Sequence, residues 1–221
     1  MSSGQPAYGD PDTRRRILLA AWEVIEEIGA DIRISDVADR ASVSRQAIYL
    51  HFGDRAGLLL ALVSFMPETL GFQELLAHVF AAESGIEMLR RTVALHSTYS
   101  AKVDSVARVL EAAQYQDPAL GAAWRDRMNR SRVAHRAIIE RIAAEGRLAE
   151  GWTVDEAADL FYTVTMQGPW RELTRELGWS PEQYAKRVAR LLLDSLVNSG
   201  PGESAVPSRR EPKEVRPDKS S

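Results

Sequence analysis

The chain has 221 residues, a formal net charge of -3, and 45% hydrophobic and 27% charged residues. This composition is typical of a soluble globular protein, and the length fits one medium domain or a small module joined to a larger one. The chain has no cysteine, which excludes disulfides and cysteine-ligated metals and is consistent with a reducing cytoplasm. The longest apolar stretch, residues 56–66, is far shorter than the roughly 20 residues that span a bilayer. We therefore expect a cytoplasmic protein with no membrane partner.

Apolar residues recur with helical spacing between residues 12 and 198, without the sustained alternation that strands require, so the sequence predicts an all-α fold. Residues 1–11 and 199–221 are small, polar or proline-rich, and we predict that both ends are disordered. Thr13 is the predicted N-cap of the first helix, and Gly29 its end. Asp54 is predicted to cap a later helix that Pro67 stops. The other helices are expected near residues 84–100, 103–115, 118–145, 154–167 and 181–197, with a break at Gly168-Pro169.

Residues 34–52, ISDVADRASVSRQAIYLHF, have the spacing of a helix-turn-helix. Val37, Ala38 and Ala41 fall on the inner face of one short helix, and Ile48 and Phe52 on the inner face of a second. The second helix would expose Arg45, Gln46 and Tyr49 after Ser44 as N-cap. Arginine can bridge guanine and glutamine can bridge adenine in the major groove, so this face is suited to reading DNA.

The larger segment, residues 14–59, closely resembles the DNA-binding domain of the tetracycline-repressor-like (TetR) family of transcriptional regulators. The matching features are the Ile17-Ala20-Ala21 face, Gly29, Asp36-Val37-Ala38, Val43-Ser44, Ile48-Tyr49, His51-Phe52, Asp54-Arg55 and Leu58-Leu59. The resemblance implies a three-helix DNA-binding domain at residues 12–55. A larger helical ligand-binding and dimerisation domain would follow at residues 56–198.

The resemblance also implies a function: a homodimeric repressor that binds a palindromic operator and is released by a small molecule. The residues it assigns to DNA are Arg33, Ser44, Arg45, Gln46, Ala47, Tyr49, His51 and Arg55, with His51 and Arg55 on phosphates. Two alternatives stay open, since Tyr49 can instead pack on the first helix and His51 can cap the last carbonyls of its own helix.

Two positions depart from the family pattern. Ser42 stands where the family often has glycine in the turn, and it is tolerated less well there if the turn needs a positive φ. Arg33 stands where the family often has a threonine that caps the next helix and contacts phosphate. Arg33 can reach a phosphate itself, and Ser35 can then take over the capping.

The helix expected near residues 118–145 carries an apolar stripe from Leu120 to Ile142 that is interrupted by Ser131 and His135. These two residues either satisfy each other and the nearby backbone or serve as polar anchors in a ligand cavity. The candidate ligand residues are His96, Tyr99, Trp124, Met128, Ser131, His135, Tyr162, Met166 and Trp170. The four histidines are scattered, so we predict no metal site and no cofactor.

The helices near residues 154–167 and 181–197 carry more apolar residues than one inward stripe needs. We therefore predict that they form a four-helix dimer interface with a second subunit, the alternative being an intrachain core. Two other functions remain as alternatives: a helical adaptor, and a small all-α enzyme with His96 or His135 as general base. The sequence shows no nucleophile-base spacing or phosphate-binding loop, so we predict no enzyme activity.

Overall fold

The computed structural model describes residues 10–198, and most of the two predicted disordered ends lies outside this range. The described chain is helical, with no strand and a single isolated bridge between Leu148 and Val197. The all-α prediction is confirmed. The helices are α1 Pro11–Ile28, α2 Ile34–Ala41, α3 Arg45–Phe52, α4 Arg55–Thr69, α5 Phe72–Phe80, α6 Gly85–Ala113, α7 Pro118–Ala144, α8 Val154–Val164, α9 Gln167–Arg171 and α10 Pro181–Leu196.

The first helix begins earlier than predicted. Asp10 is its N-cap and accepts hydrogen bonds from the backbone N–H groups of Asp12 and Thr13, and Pro11 occupies the first helical position. Thr13 as N-cap is therefore wrong, because the Asp-Pro pair three residues upstream already supplies a carboxylate cap and a preset φ. Asp10 and Pro11 belong to this helix and not to a disordered end.

Three other helix boundaries differ from the prediction. Pro67 lies inside α4, which ends at Thr69, because a proline in the last turn removes only one hydrogen bond from the helix. The two helices expected between residues 84 and 115 are one continuous helix, α6. The predicted interruption exists, but it lies at Thr165 and Met166, and Gly168-Pro169 form the first turn of α9. Helix α5 has no counterpart in the prediction.

Two hydrophobic cores share the long helices. The first core joins α1–α4 to the second half of α6, from Tyr99 to Ala113, and to Leu120 of α7. The second core joins the first half of α6 and the end of α7 to α5, α8, α9 and α10. Because α6 contributes to both cores, it fixes α1–α4 relative to the rest of the described chain.

In residues 10–198, no single helix combines the length and apolar composition needed to cross a membrane. Helices α3 and α4 meet that criterion only as a pair, and they bend by 65° at their junction.

Candidate DNA-binding surface and ligand cleft

The turn between α2 and α3 depends on a left-handed residue. Ser42 has φ 53° and ψ 48°, and it is the only residue other than glycine with positive φ in the described chain. Its N–H donates to the carbonyl of Asp39, and the N–H of Val43 donates to that of Ala38, which closes α2 in the manner of a left-handed C-cap. The predicted conflict at this position is real: the turn requires positive φ at a serine.

Helix α3 presents a polar face to solvent. Ser44 caps it by accepting from the N–H of Ala47 at 3.1 Å, as predicted. Ile48 is fully buried beneath the helix, whereas Arg45 and Gln46 are exposed and Ala47 is half-buried. The Tyr49 side chain is 49% exposed, so its ring is not buried against α1.

Leu50, 51% exposed on the same helix, was missed by the sequence analysis. An apolar side chain on a short helix is assigned to the core by default, and only the position of Ile48 shows that Leu50 points away from it. An exposed leucine next to Tyr49 can contact a thymine methyl group.

The end of α3 is tied to the start of α1 by Arg14. Its guanidinium lies 4.6 Å from the centre of the Phe52 ring and donates to the carbonyl of His51 at 3.3 Å. The last turn closes through the N–H of Gly53, which donates to Tyr49. Within residues 10–198, the His51 ring makes no hydrogen bond to a helix carbonyl, so the capping alternative for His51 is wrong.

Arg55 and Arg40 are engaged inside the chain. The Arg55 guanidinium donates to the carbonyls of Ile32 and Ala30, in the segment between α1 and α2. Arg40 pairs with Glu23 and Glu27 of α1, and its hydrogen bond to Glu27 lowers the pKa of that carboxyl. Both arginines therefore hold helices together, which leaves them less free to meet phosphate.

Arg33 occupies the N-cap position of α2. Its backbone N–H donates to a carboxylate oxygen of Asp36 at 3.2 Å, while its side chain is exposed. The cap is completed by Asp36 and not by Ser35, whose hydroxyl only donates to Asp36 at 3.4 Å. Ser35 as the replacement cap is therefore wrong, and the Arg33 side chain stays available to solvent.

A small cleft opens between α4, α6 and α7. Its walls include Leu62 and Met66 of α4, Tyr99 and Leu110 of α6, and Trp124 and Arg127 of α7. Two predicted ligand residues, Tyr99 and Trp124, line it. Arg127 was missed, because an arginine on a long charged helix is indistinguishable in sequence from a solvated one. The Tyr99 hydroxyl is buried without a hydrogen-bond partner in the described chain.

A second group of predicted ligand residues surrounds His135, which is buried. One ring nitrogen, Nδ1, donates to the Ser131 carbonyl at 2.7 Å, and Nε2 lies 2.9 Å from the Thr165 hydroxyl. Burial lowers the pKa of His135 to about 4. His96 lies beside it, with ring centres 5.6 Å apart, and burial together with the neighbouring His135 and Arg127 lowers the pKa of His96 to about 3.

Four further predicted ligand residues lie away from the cleft walls. Met128 is half-buried on α7, and Met166 precedes α9 as its N-cap residue. The Tyr162 ring packs edge-on to His135 at 5.8 Å and has Arg132 over its face. Trp170 is buried in the second core. The structure thus brings Tyr162 to His135 and places Trp170 among packing residues.

Comparison with known proteins identifies the N-terminal helices. Residues 17–62, which contain the helix-turn-helix, match the family model for bacterial regulatory proteins of the tetR family. Residues 17–62 therefore form a DNA-binding domain of the tetR type. Among curated proteins, none matches this sequence.

Solved structures share the fold of this chain along most of its length. A transcriptional regulator from Saccharomonospora viridis in complex with choline has a TM-score of 0.75 at 23% identity and covers 85% of this chain and 99% of its own. FadR from Bacillus subtilis in complex with stearoyl-CoA has a TM-score of 0.68 at 19% identity, covering 81% and 97%. NalD, the secondary repressor of the MexAB-OprM multidrug efflux pump in Pseudomonas aeruginosa, has a TM-score of 0.60 at 22% identity, covering 84% and 97%.

The apolar residues of α8 and α10 mostly fill the chain's own core. The residues that are buried within the single chain are Ala157, Ala158, Phe161, Tyr184, Val188, Leu192 and Leu196. The prediction that this whole set faces a second subunit is therefore wrong for these residues, since α8 packs on α7 and α10 on α6. Leu160, Val164, Ala185 and Ala189 stay half-buried and Leu191 is 57% exposed, so a smaller apolar surface remains on the two helices.

Proposed function

We propose that this TetR-family regulator is a homodimeric repressor that binds a palindromic operator and leaves it when a small molecule occupies the cleft between α4, α6 and α7. The observation that carries the proposal is the polar face of α3, with Arg45, Gln46 and Tyr49 exposed within the domain that matches the family model. A capped helix with this face fits the major groove.

Each exposed group has a chemical role on DNA. Arg45 bridges the O6 and N7 atoms of guanine, and Gln46 bridges N6 and N7 of adenine. Ala47 and the Ser44 backbone allow close approach at the start of the helix, while Tyr49, His51 and the free side chain of Arg33 reach the phosphate backbone. Arg55 contributes chiefly by holding the α1–α2 segment in place through the carbonyls of Ile32 and Ala30.

Ligand release follows from the position of α4. One end of this helix, at Asp54, joins α3, and the other carries Leu62 and Met66 into the cleft wall. A ligand that fits the cleft better when α4 is displaced therefore moves α3, and the coupling equals its difference in affinity for the two states. Two recognition helices must stay about 34–36 Å apart to occupy successive major grooves, so a small displacement breaks the fit. The small-molecule complexes of two proteins with this fold support the same use of the helical body.

The His135 contacts argue against His135 as the general base of the enzyme alternative. A general base needs a nitrogen that is free to take a proton from substrate. Both ring nitrogens of His135 already contact the Ser131 carbonyl and the Thr165 hydroxyl.

The test is titration of fluorescent DNA from upstream of the protein's own gene, with scrambled DNA of the same length as reference. Wild type is expected to prefer the upstream DNA, and Arg45→Ala to weaken that binding by about 1–3 kcal/mol while leaving scrambled DNA unaffected. Arg130→Ala is the matched control, because Arg130 is exposed on α7 and pairs only with Asp126. Equal binding of both DNAs by wild type would contradict the proposal and favour the adaptor alternative.

A further inference from the structure

Leu50 occupies the outermost position of α3. Successive residues of an α-helix are rotated by about 100°, so Leu50 lies about 200° around the helix axis from both Ile48 and Phe52. Ile48 is fully buried and Phe52 packs against the first core, so these two residues define the inner face of the helix. Leu50, 51% exposed, therefore lies at the centre of the opposite face, which is the face that a recognition helix turns toward the major groove.

The neighbours of Leu50 show what this face offers to DNA. Gln46 lies one turn earlier on the same side of the helix and is exposed. Gln46 can form hydrogen bonds with adenine, whereas the side chain of Leu50 has no polar atom. Among the four bases, thymine alone presents an apolar group in the major groove, its 5-methyl group. A leucine at the centre of this face is therefore complementary to thymine.

A single exposed leucine is common on protein surfaces and does not by itself indicate a site. Leu50 differs because the adjacent Tyr49 is exposed as well, at 49%, so two large side chains of an eight-residue helix stay in contact with solvent. Burial of this apolar surface in a groove removes it from water, which favours the complex. The two residues therefore gain from a DNA surface that is apolar at the point of contact.

We propose that Leu50 is a specificity-determining residue that packs against the 5-methyl group of a thymine in each operator half-site. Leu50 lies about 6 Å along the helix axis from Gln46, and successive base pairs are about 3.4 Å apart, so this thymine lies roughly one or two base pairs from the pair that Gln46 contacts. The inference rests on the proposed regulatory function. It adds a base preference that depends on a methyl group and not on a hydrogen bond.

The test replaces every thymine of the upstream DNA by uracil, which removes the 5-methyl groups and keeps the hydrogen bonds of each base pair. The full protein is titrated into fluorescent DNA of both forms, with scrambled DNA of both forms as reference. Loss of one buried methyl contact weakens binding about four-fold, and loss in both half-sites about fifteen-fold. Wild type is expected to show a loss of this order on the upstream DNA and none on the scrambled DNA.

A variant assigns the methyl contact to Leu50. Leu50→Ala should bind the thymine form about as weakly as wild type binds the uracil form, and it should bind the uracil form no more weakly still. This non-additivity is expected because both changes remove the same contact. Leu75→Ala is the matched control, since Leu75 is 41% exposed on α5, and it should behave as wild type on both forms. Because Leu50 is exposed, its replacement should leave the midpoint of urea unfolding unchanged.

The outcomes separate this proposal from the regulatory one. If Leu50→Ala keeps the full difference between the thymine and uracil forms, another residue contacts the methyl group and the proposal fails. If wild type prefers upstream DNA to scrambled DNA but binds its two forms equally, only the role of Leu50 is overturned. A wild type without any preference for upstream DNA would contradict the regulatory function, and the role of Leu50 with it.

Discussion

Ser42 holds a backbone conformation that glycine adopts at lower cost. A left-handed residue with a Cβ costs roughly 1–2 kcal/mol, part of which glycine loses again through its larger unfolded-state entropy. The Ser42 side chain makes no hydrogen bond within the described chain, so its removal sacrifices no contact. The turn is therefore a site where the sequence tolerates strain between the two helices of the helix-turn-helix.

Replacing Ser42 by glycine should raise the free energy of unfolding by about 0.5–1 kcal/mol, because the strain is relieved. Urea denaturation at neutral pH measures the change. The control is Ser42→Ala, which removes the same hydroxyl but keeps the Cβ. If alanine stabilises the protein as much as glycine does, strain at φ is not the cause.

His135 makes stability depend on pH. Burial lowers the pKa of His135 to about 4 from its ordinary value of 6.5, so the unfolded chain binds more protons than the folded one between these values. The contribution of the neutral ring to the free energy of unfolding is fully present above the unfolded pKa. It is lost as the pH falls toward the folded pKa, by up to about 1.4 kcal/mol per pH unit for each such ring. The lowered pKa of His96 acts in the same direction.

Lowering the pH from 7 to 5 should therefore reduce the free energy of unfolding, and His135→Gln should lose roughly half as much as wild type, because it retains only the His96 contribution. Urea unfolding at the two pH values measures how the free energy of unfolding depends on pH, separately from any change in stability that the substitution itself causes. His78→Gln, at an exposed site on α5, serves as control and should keep the wild-type slope. A variant slope equal to that of wild type would show that His135 does not titrate in this window.

At the scale of helices, the junction of α3 and α4 depends on Gly57. The N–H of Gly57 donates to the capping carboxylate of Asp54 at 2.8 Å. A Cβ on Gly57 would overlap the carbonyl oxygen of Phe52. The close approach of the two helices therefore requires glycine at this position.

Gly57→Ala should lower the free energy of unfolding by about 1–3 kcal/mol and weaken operator binding, because relief of the overlap tilts α3 away from α4. Thermal denaturation and DNA titration measure the two effects. Gly168 offers a matched control in α9, where a Cβ would meet nothing within 4 Å, and Gly168→Ala should be neutral or stabilising by up to about 1 kcal/mol. Similar losses in both variants would point to general sensitivity to glycine replacement.

Local signals predicted the helix starts better than the helix lengths. Ser44 and Asp54 each cap the helix that they were predicted to cap, because a cap depends on residues within three positions of it. The false break in α6 has a tertiary cause. Ser100 and Asp104 lie on its buried face and interrupt the apolar pattern, and Asp104 is buried only because Arg171 of α9 pairs with it at 2.9 Å.

For the candidate sites, too, the sequence predicted the features that depend on local pattern and missed those that depend on distant residues. The exposed residues of α3 follow from the buried position of Ile48, which is a local pattern. The surroundings of Arg55 and Arg127 do not follow from a local pattern. The carbonyls that bind Arg55 are more than twenty residues away in sequence, and the cleft at Arg127 is formed by three separate helices. A charged side chain in a sequence does not show which of these surroundings it will meet.

At the scale of the whole molecule, the charge of the helix-turn-helix segment limits its affinity for DNA, because few cations in residues 10–55 are free to meet phosphate. The segment from residue 10 to residue 55 has seven arginines against nine acids, and Arg40 and Arg55 are held by contacts within the chain. Non-specific affinity scales with the number of phosphates neutralised. We therefore expect one subunit to bind DNA weakly and useful affinity to require two.

The dimer proposal predicts that Leu191→Arg gives a monomer in sedimentation velocity and loses affinity for a full operator but not for a half-site. Leu191 is 57% exposed on α10, so a charge there leaves the single chain's core intact but opposes an apolar contact between subunits. Leu177→Arg is the control, since Leu177 is 62% exposed but precedes α10. A monomeric wild type would rule out the interface itself.

The continuous α6 has a consequence for cutting the chain into parts. Val106, Val109 and Leu110 of α6 lie in the same core as Ile17 of α1, Ile48 of α3 and the other buried residues of α1–α4. An excised fragment that ends with α4 would expose that face and lose the partner against which α1 and α4 pack. A chimera that transfers the operator preference of this protein must therefore carry the second half of α6 with the recognition helix, so the unit of exchange is discontinuous in sequence.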